Sequence, residues 1–186
     1  MVRSVSGYMK QNREKVKTGV RGLIALVLAL WVSSAHPQAP ALEYQVKASY
    51  VYNFMQFVTW PSDVFDAERK FRFCVVGAER LGSALDALAG ERLEGREIVI
   101  HRLEQGADAH AVRCHLLFVT DSEAPYPGIA RGMLTIGEAP GFLGRDGMIN
   151  FVAIQGRIRF EINQSAAQKA GLVVSSRLLS LAVSSR

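Results

Sequence analysis

Phe71-Arg72-Phe73-Cys74-Val75-Val76-Gly77, followed by Leu81-Gly82-Ser83-Ala84-Leu85-Asp86-Ala87-Leu88 and then Gly90, is the stretch that decides the fold. The first piece is aromatic and β-branched and breaks at a glycine. The second is amphipathic at helical spacing and closes on another glycine, so the whole reads strand, turn, helix. Downstream, Glu97 to Leu103 and Cys114 to Thr120 repeat the strand signal. Between them lie the turn-like Gln105-Gly106 and a helical stretch expected around Ala107 to Val112. Strands alternating with helices imply βαβ units and a mainly parallel sheet.

Upstream, Leu42, Val46, Tyr50, Phe54, Phe57 and Val58 recur at spacings of three and four, which predicts a helix from Leu42 to Trp60 ended by Pro61. On the C-terminal side Met133 to Ile136 reads as a further strand, and Gly137 to Gly147 as a loop. Met148 to Ile154 and Arg157 to Ile162 are separated only by Gln155-Gly156, the spacing of a β-hairpin. Asn163 is placed to cap a short helix through Ala170, and Gly171 fits its left-handed stop. Leu172 to Val174 is extended, and Ser175 or Ser176 caps a last helix carrying Leu178, Leu179, Leu181, Ala182 and Val183. The fold class expected is α/β, with a mixed, mainly parallel sheet flanked by helices and a C-terminal hairpin and helix.

The first 35 residues have a different composition. Arg3, Lys10, Arg13, Lys15, Lys17 and Arg21 against Glu14 lead into a ten-residue apolar run, Leu23 to Val32, and then Ser33-Ser34-Ala35. This is the pattern of a Sec signal peptide. A retained anchor is the alternative, but ten helical residues cover roughly half of a ~30 Å hydrocarbon core, which favours cleavage. The expected mature domain is residues 36–186, a single unit in the periplasm. Removing six of 22 basic residues and one of 17 acidic ones leaves 16 of each, so the net charge of +5 belongs to the leader. A neutral domain has no basic footprint for nucleic acid, and none is expected as a partner.

Only two cysteines occur, Cys74 and Cys114. An oxidising compartment makes a disulfide between them the default reading, and two buried free thiols the alternative. Chemistry is sparse elsewhere. Gly77-Ala78-Glu79-Arg80-Leu81-Gly82 sits where a phosphate loop would, but Ser83 and Ala84 occupy the places of its Lys-Ser/Thr pair. His36, His101, His110 and His115 never fall three or four apart, and His110 and His115 flank Cys114 without a second cysteine nearby. There is no Gly-x-Ser-x-Gly elbow. The chain is therefore expected to be no enzyme and to hold neither metal nor cofactor. In Arg157 to Ile162 alternation puts Arg157, Arg159 and Glu161 on one face, either a solvated strand face or a charged contact surface.

Three segments resemble one family. Lys47-Ala48-Ser49-Tyr50-Val51-Tyr52-Asn53-Phe54, continuing to Phe57 and Trp60-Pro61, is similar to the opening of the YfiR family of periplasmic proteins. Met148 to Val152, Ile158 to Asn163, Ala166-Ala167, Ala170-Gly171-Leu172 and Ser175-Ser176-Arg177-Leu178-Leu179 resemble its C-terminal block. Phe73 to Gly77, Gly95-Arg96 and Cys114 to Val119 lie between them in the family's order. The resemblance implies a compact α/β protein, often dimeric, that inhibits a membrane-bound diguanylate cyclase by binding its periplasmic sensor domain. It also implies an outer-membrane lipoprotein that sequesters the inhibitor, so that cyclic di-GMP and biofilm formation rise. Family members carry a bridge that Cys74 and Cys114 would match; the second cysteine pair of some members is absent from Gly141 to Val152 here.

Glu161, Arg177, Leu178 and Leu181, with Val183, are the expected partner-binding residues, an apolar patch with a polar rim. The alternative function is a periplasmic small-ligand sensor, with its site at the Gly77 to Gly82 turn.

Overall fold

The computed structural model describes residues 39–77, 82–120 and 128–185, and residues 39–186 cluster as one compact unit. The expected signal peptide lies outside the described residues, as do residues 78–81 of the Gly77 to Gly82 turn. Helix α1 (Ala39–Phe57) leads into β1 (Val58–Thr59), and then come β2 (Lys70–Val76), α2 (Gly82–Asp86), β3 (Arg92–Leu93) and β4 (Arg96–Leu103). Next are β5 (Leu116–Val119), β6 (Leu134–Gly137), β7 (Ile149–Ile154), β8 (Arg157–Ile162), α3 (Gln164–Lys169), β9 (Val173–Val174) and α4 (Ser176–Leu181).

Seven strands form one sheet in the order β3-β4-β2-β5-β6-β7-β8. The five inner strands run parallel, and β3 and β8 add an antiparallel strand at each edge. An inner parallel strand is covered on both faces, so its residues need not alternate in polarity. Phe73, Cys74, Val75 and Val76 are accordingly all buried. Phe73 and Val75 belong to a core shared with Phe54 of α1, Leu85 of α2, Ala167 of α3 and Leu178 of α4. Cys74 and Val76 face the other way, into a smaller cluster with Cys114, Leu117, Met133 and Phe142. The helices thus gather on one face of the sheet. On the opposite face the cover is irregular chain, the segment leading to Cys114 and a 3-10 turn at Phe142–Arg145.

The C-terminal third matches its sequence pattern closely. Gln155 (φ 50°) and Gly156 (φ 72°) both take the left-handed conformation that a two-residue hairpin of right-handed twist requires. The Asn163 side chain accepts from the Ala166 N–H and caps α3, and Ser175 accepts from the Leu178 N–H and caps α4. The tail then returns to the sheet edge. Val183 N–H donates to Phe160 O, and Ile162 N–H donates to Ser184 O, so half of β8 is paired on its outer side.

Three expectations need correction. Helix α1 stops at Phe57, three residues before Trp60, because Val58 and Thr59 pair antiparallel with Val174 and Val173. The Phe57 carbonyl accepts from Ser175 N–H instead of continuing the helix. The buried face is also displaced from the predicted one: Ala48, Val51, Phe54 and Met55 are buried, whereas Leu42 and Val46 are exposed. The helix expected around Ala107 to Val112 is a series of turns. There the Asp108 carboxylate accepts from the His110 N–H, a local bond that competes with helix, and Arg113 lies at φ 55° just before the bridged Cys114.

Candidate functional site

Cys74 and Cys114 are joined by a disulfide with Cα atoms 5.8 Å apart, spanning 40 residues of sequence. The bridge ties the middle of β2 to a residue two positions before β5, on the face of the sheet closed by irregular chain. Closing a loop of that length contributes about 4 kcal/mol in the chain-entropy account.

One residue further on, His115 is only 2% exposed and packs with the rings of Phe65 and Phe71 in a three-ring cluster. Its Nδ1 accepts from the Arg72 backbone N–H at 2.9 Å, which leaves the ring proton on Nε2 to be donated to the Val64 carbonyl at 3.2 Å. Its own carbonyl accepts from the Trp60 indole N–H and the Leu134 N–H. Burial, with the nearby Arg72 charge adding to it, pushes the imidazole below its ordinary pKa, and the bond to Val64 offsets this only in part. His115 is therefore a neutral structural hub. Among the described residues no group of three or more His, Cys, Asp or Glu is placed to hold a metal ion.

Lys47, the first residue of the family-like opening segment, is 7% exposed on α1. Its Nζ lies 2.5 Å from Glu43 Oε1, one turn back, and 2.5 Å from Glu138 Oε2, just past β6. Burial works against the ammonium charge, but the two carboxylates outweigh it and hold the pKa above the usual lysine value. Removing Lys47 would leave the mostly buried Glu138 carboxylate unmatched, so this pair pins α1 to the end of β6. Glu138 is 91 residues away in sequence, and nothing in the local pattern points to it.

Among the described residues, two of the clefts open on the irregular face. The larger, about 350 Å³, is lined by Asp63, His110, Arg113, Arg131 and the Cys114 end of the bridge, and Arg131 is paired with Asp63 across it. The smaller, about 290 Å³, lies between Gly141–Gly144 and the β7–β8 hairpin, with Asn150, Glu161 and Ser184 in its wall. Phe142 forms part of that wall. It is seated on Gly137 and Gly147, where a Cβ would approach its ring to 2.6 Å and 2.3 Å, so both positions require glycine.

The residues expected to bind a partner are not brought together. Leu178 is 2% exposed and belongs to the core, so it has no surface to offer. Leu181 is 60% exposed and Val183 45%. Arg177 is exposed, with its guanidinium over the Phe57 ring. Glu161 points into the smaller cleft, on the far side of the sheet from the Leu178 core. Asn150 was not foreseen as a site residue, although the two-residue turn at Gln155-Gly156 sets the register that puts it opposite Glu161.

A family described as DUF4154, YfiR/HmsC-like, matches residues 44–183, and the chain belongs to it. It is a family of periplasmic regulators in cyclic di-GMP signalling, regulatory and not catalytic. Among the described residues no helix is long and apolar enough to cross a membrane. Among solved structures, a conserved domain protein from Vibrio cholerae O1 biovar El Tor strain N16961 is similar at 13% identity with a TM-score of 0.44. The match covers 75% of this chain and 60% of that one. No curated protein matches the chain.

Proposed function

We propose that the chain is exported by its first 35 residues and that the periplasmic domain inhibits a membrane-bound diguanylate cyclase by binding its sensor domain, so lowering cyclic di-GMP. The observation that carries this reading is the family match over residues 44–183. It is supported by the exposed apolar Leu181, one helical turn after the exposed cationic Arg177 on α4, and by the exposed Val183 just beyond the helix. An outer-membrane lipoprotein that captures the same surface would relieve the inhibition, and a second copy of this chain is a further candidate occupant.

Deleting the gene under conditions where it is expressed should raise cellular cyclic di-GMP, and an unchanged level would remove the reading. Re-expression of a Leu181→Asp, Arg177→Glu variant should fail to restore the low level while the protein still accumulates in the periplasm.

A further inference from the structure

We propose that the cleft between Gly141–Gly144 and the β7–β8 hairpin binds a nitrogen-donor cation, an ammonium or guanidinium group, through Asn150 Oδ1 and the Glu161 carboxylate. This goes beyond the regulatory reading and does not depend on it.

Asn150 is an unusual choice for its position. Its neighbours Ile149 and Phe151 are buried against the helices, and asparagine is depleted in strands because its amide prefers turns. Yet it is 5% exposed, and among the described residues its Oδ1 has no hydrogen-bond partner. A buried acceptor left without a donor is costly, and such groups are few in native proteins. Directly across the hairpin, in register, stands Glu161, half-buried and without an ion-pair partner among the described residues. Two acceptors, one of them charged, therefore meet in one cleft.

The surrounding backbone selects the sign of the ligand. The Phe142 N–H donates to Ala139 O and the Gly144 N–H to Gly141 O, so these donors are already used and offer nothing to an anion. Asn163 Nδ2 is likewise bound to Leu143 O. Among the described residues the buried atom left without a partner is an acceptor, Asn150 Oδ1, beside a carboxylate with no ion pair, and a guanidinium or ammonium carries only donors. Phe142 and Leu143 supply an apolar wall for the methylene stem of such a group, and about 290 Å³ holds a head and stem of arginine size.

The same chemistry arrives as a free amine or as a basic side chain of a partner protein, and one experiment separates them. Protein expressed from the full-length gene, labelled with 15N, would be titrated with agmatine, with a short peptide ending in arginine amide, and with acetate. Agmatine should shift the Asn150 side-chain and Gly141 to Gly144 resonances with a dissociation constant in the millimolar range, and acetate should not. Glu161→Gln should weaken the response roughly tenfold, as expected for loss of a charge-assisted bond. Asn150→Val should abolish it while raising Tm by about 2–4 °C, because it removes an unsatisfied buried group. A peptide response tighter than that of agmatine assigns the site to a partner's side chain; equal responses assign it to a free amine. No agmatine shift, as when water alone serves the oxygen, overturns the proposal, and so does an undiminished shift in Glu161→Gln. The titration contains no cyclase, so its failure is distinct from failure of the cyclic di-GMP experiment.

Discussion

On the face of the sheet that carries Phe73, Phe118 and Ile136, helices α1, α3 and α4 close a core of large side chains that come from the whole length of the chain. The opposite face carries Cys74, Leu117 and Met133, and it is closed by turns, the 3-10 segment at Phe142–Arg145 and a covalent bridge. The difference shows two ways of covering a parallel sheet. A helix supplies its own hydrogen bonds and a continuous apolar stripe. Irregular chain supplies neither, so it must be held by local side-chain bonds, by glycines that admit an aromatic ring, and by the disulfide. Both clefts open on that second face, where the cover is thinnest.

Removing the bridge should have the largest effect. The Cys74→Ser, Cys114→Ser double variant is expected to lose about 4 kcal/mol in urea melts, and the wild type should lose the same on reduction. Equal stability with and without reductant would show that the irregular face stands by packing alone. Next in size, Leu178→Ala on the helical face should cost about 2–5 kcal/mol and be indifferent to reductant. Its neighbour Leu181, 60% exposed, should tolerate Leu181→Ser within about 0.5 kcal/mol. If both substitutions cost the same, the buried and exposed sides of α4 have been misassigned.

The smallest effect expected is a pH dependence centred on His115. Its folded pKa is depressed, so protons prefer the unfolded chain. The contribution is complete above the ordinary histidine value of 6.5 and is lost as pH falls through that value toward the lower native one. Lys47 is held above the usual lysine range by its two carboxylates and Asp66 below the usual carboxylate range by Arg72, so both lie outside this window. Urea midpoints between pH 7 and pH 5 should therefore fall in the wild type and fall less in His115→Gln, where the ring is gone; parallel curves would acquit His115.

The strands and their order of types were legible because each carries its own local punctuation. Phe71 to Gly77 and the Gln155-Gly156 hairpin announce themselves by β-branched runs ended at residues that accept a left-handed backbone. Helix faces were less legible. In α1 the apolar residues from Leu42 to Val58 recur at helical spacing, but the buried stripe runs through Ala48, Val51, Phe54 and Met55 with Tyr44 packed against it, which leaves Leu42 and Val46 exposed. In α4 a six-residue helix is too short for periodicity to tell Leu178 from Leu181; only the proximity of β1 and α1 decides which is inside.

By itself, the order of residues determined the α/β class, the hairpin register, the caps at Asn163 and Ser175 and the pairing of the only two thiols, because all of these depend on neighbours in the chain or on having a single possible partner. Tertiary structure alone decided that Lys47 meets Glu138, that His115 gathers Trp60, Val64 and Arg72, and that Asn150 and Glu161 share a cleft under Phe142. Those contacts join segments far apart in sequence, and which of them meet is set by the strand order and by which face of the sheet each side chain takes.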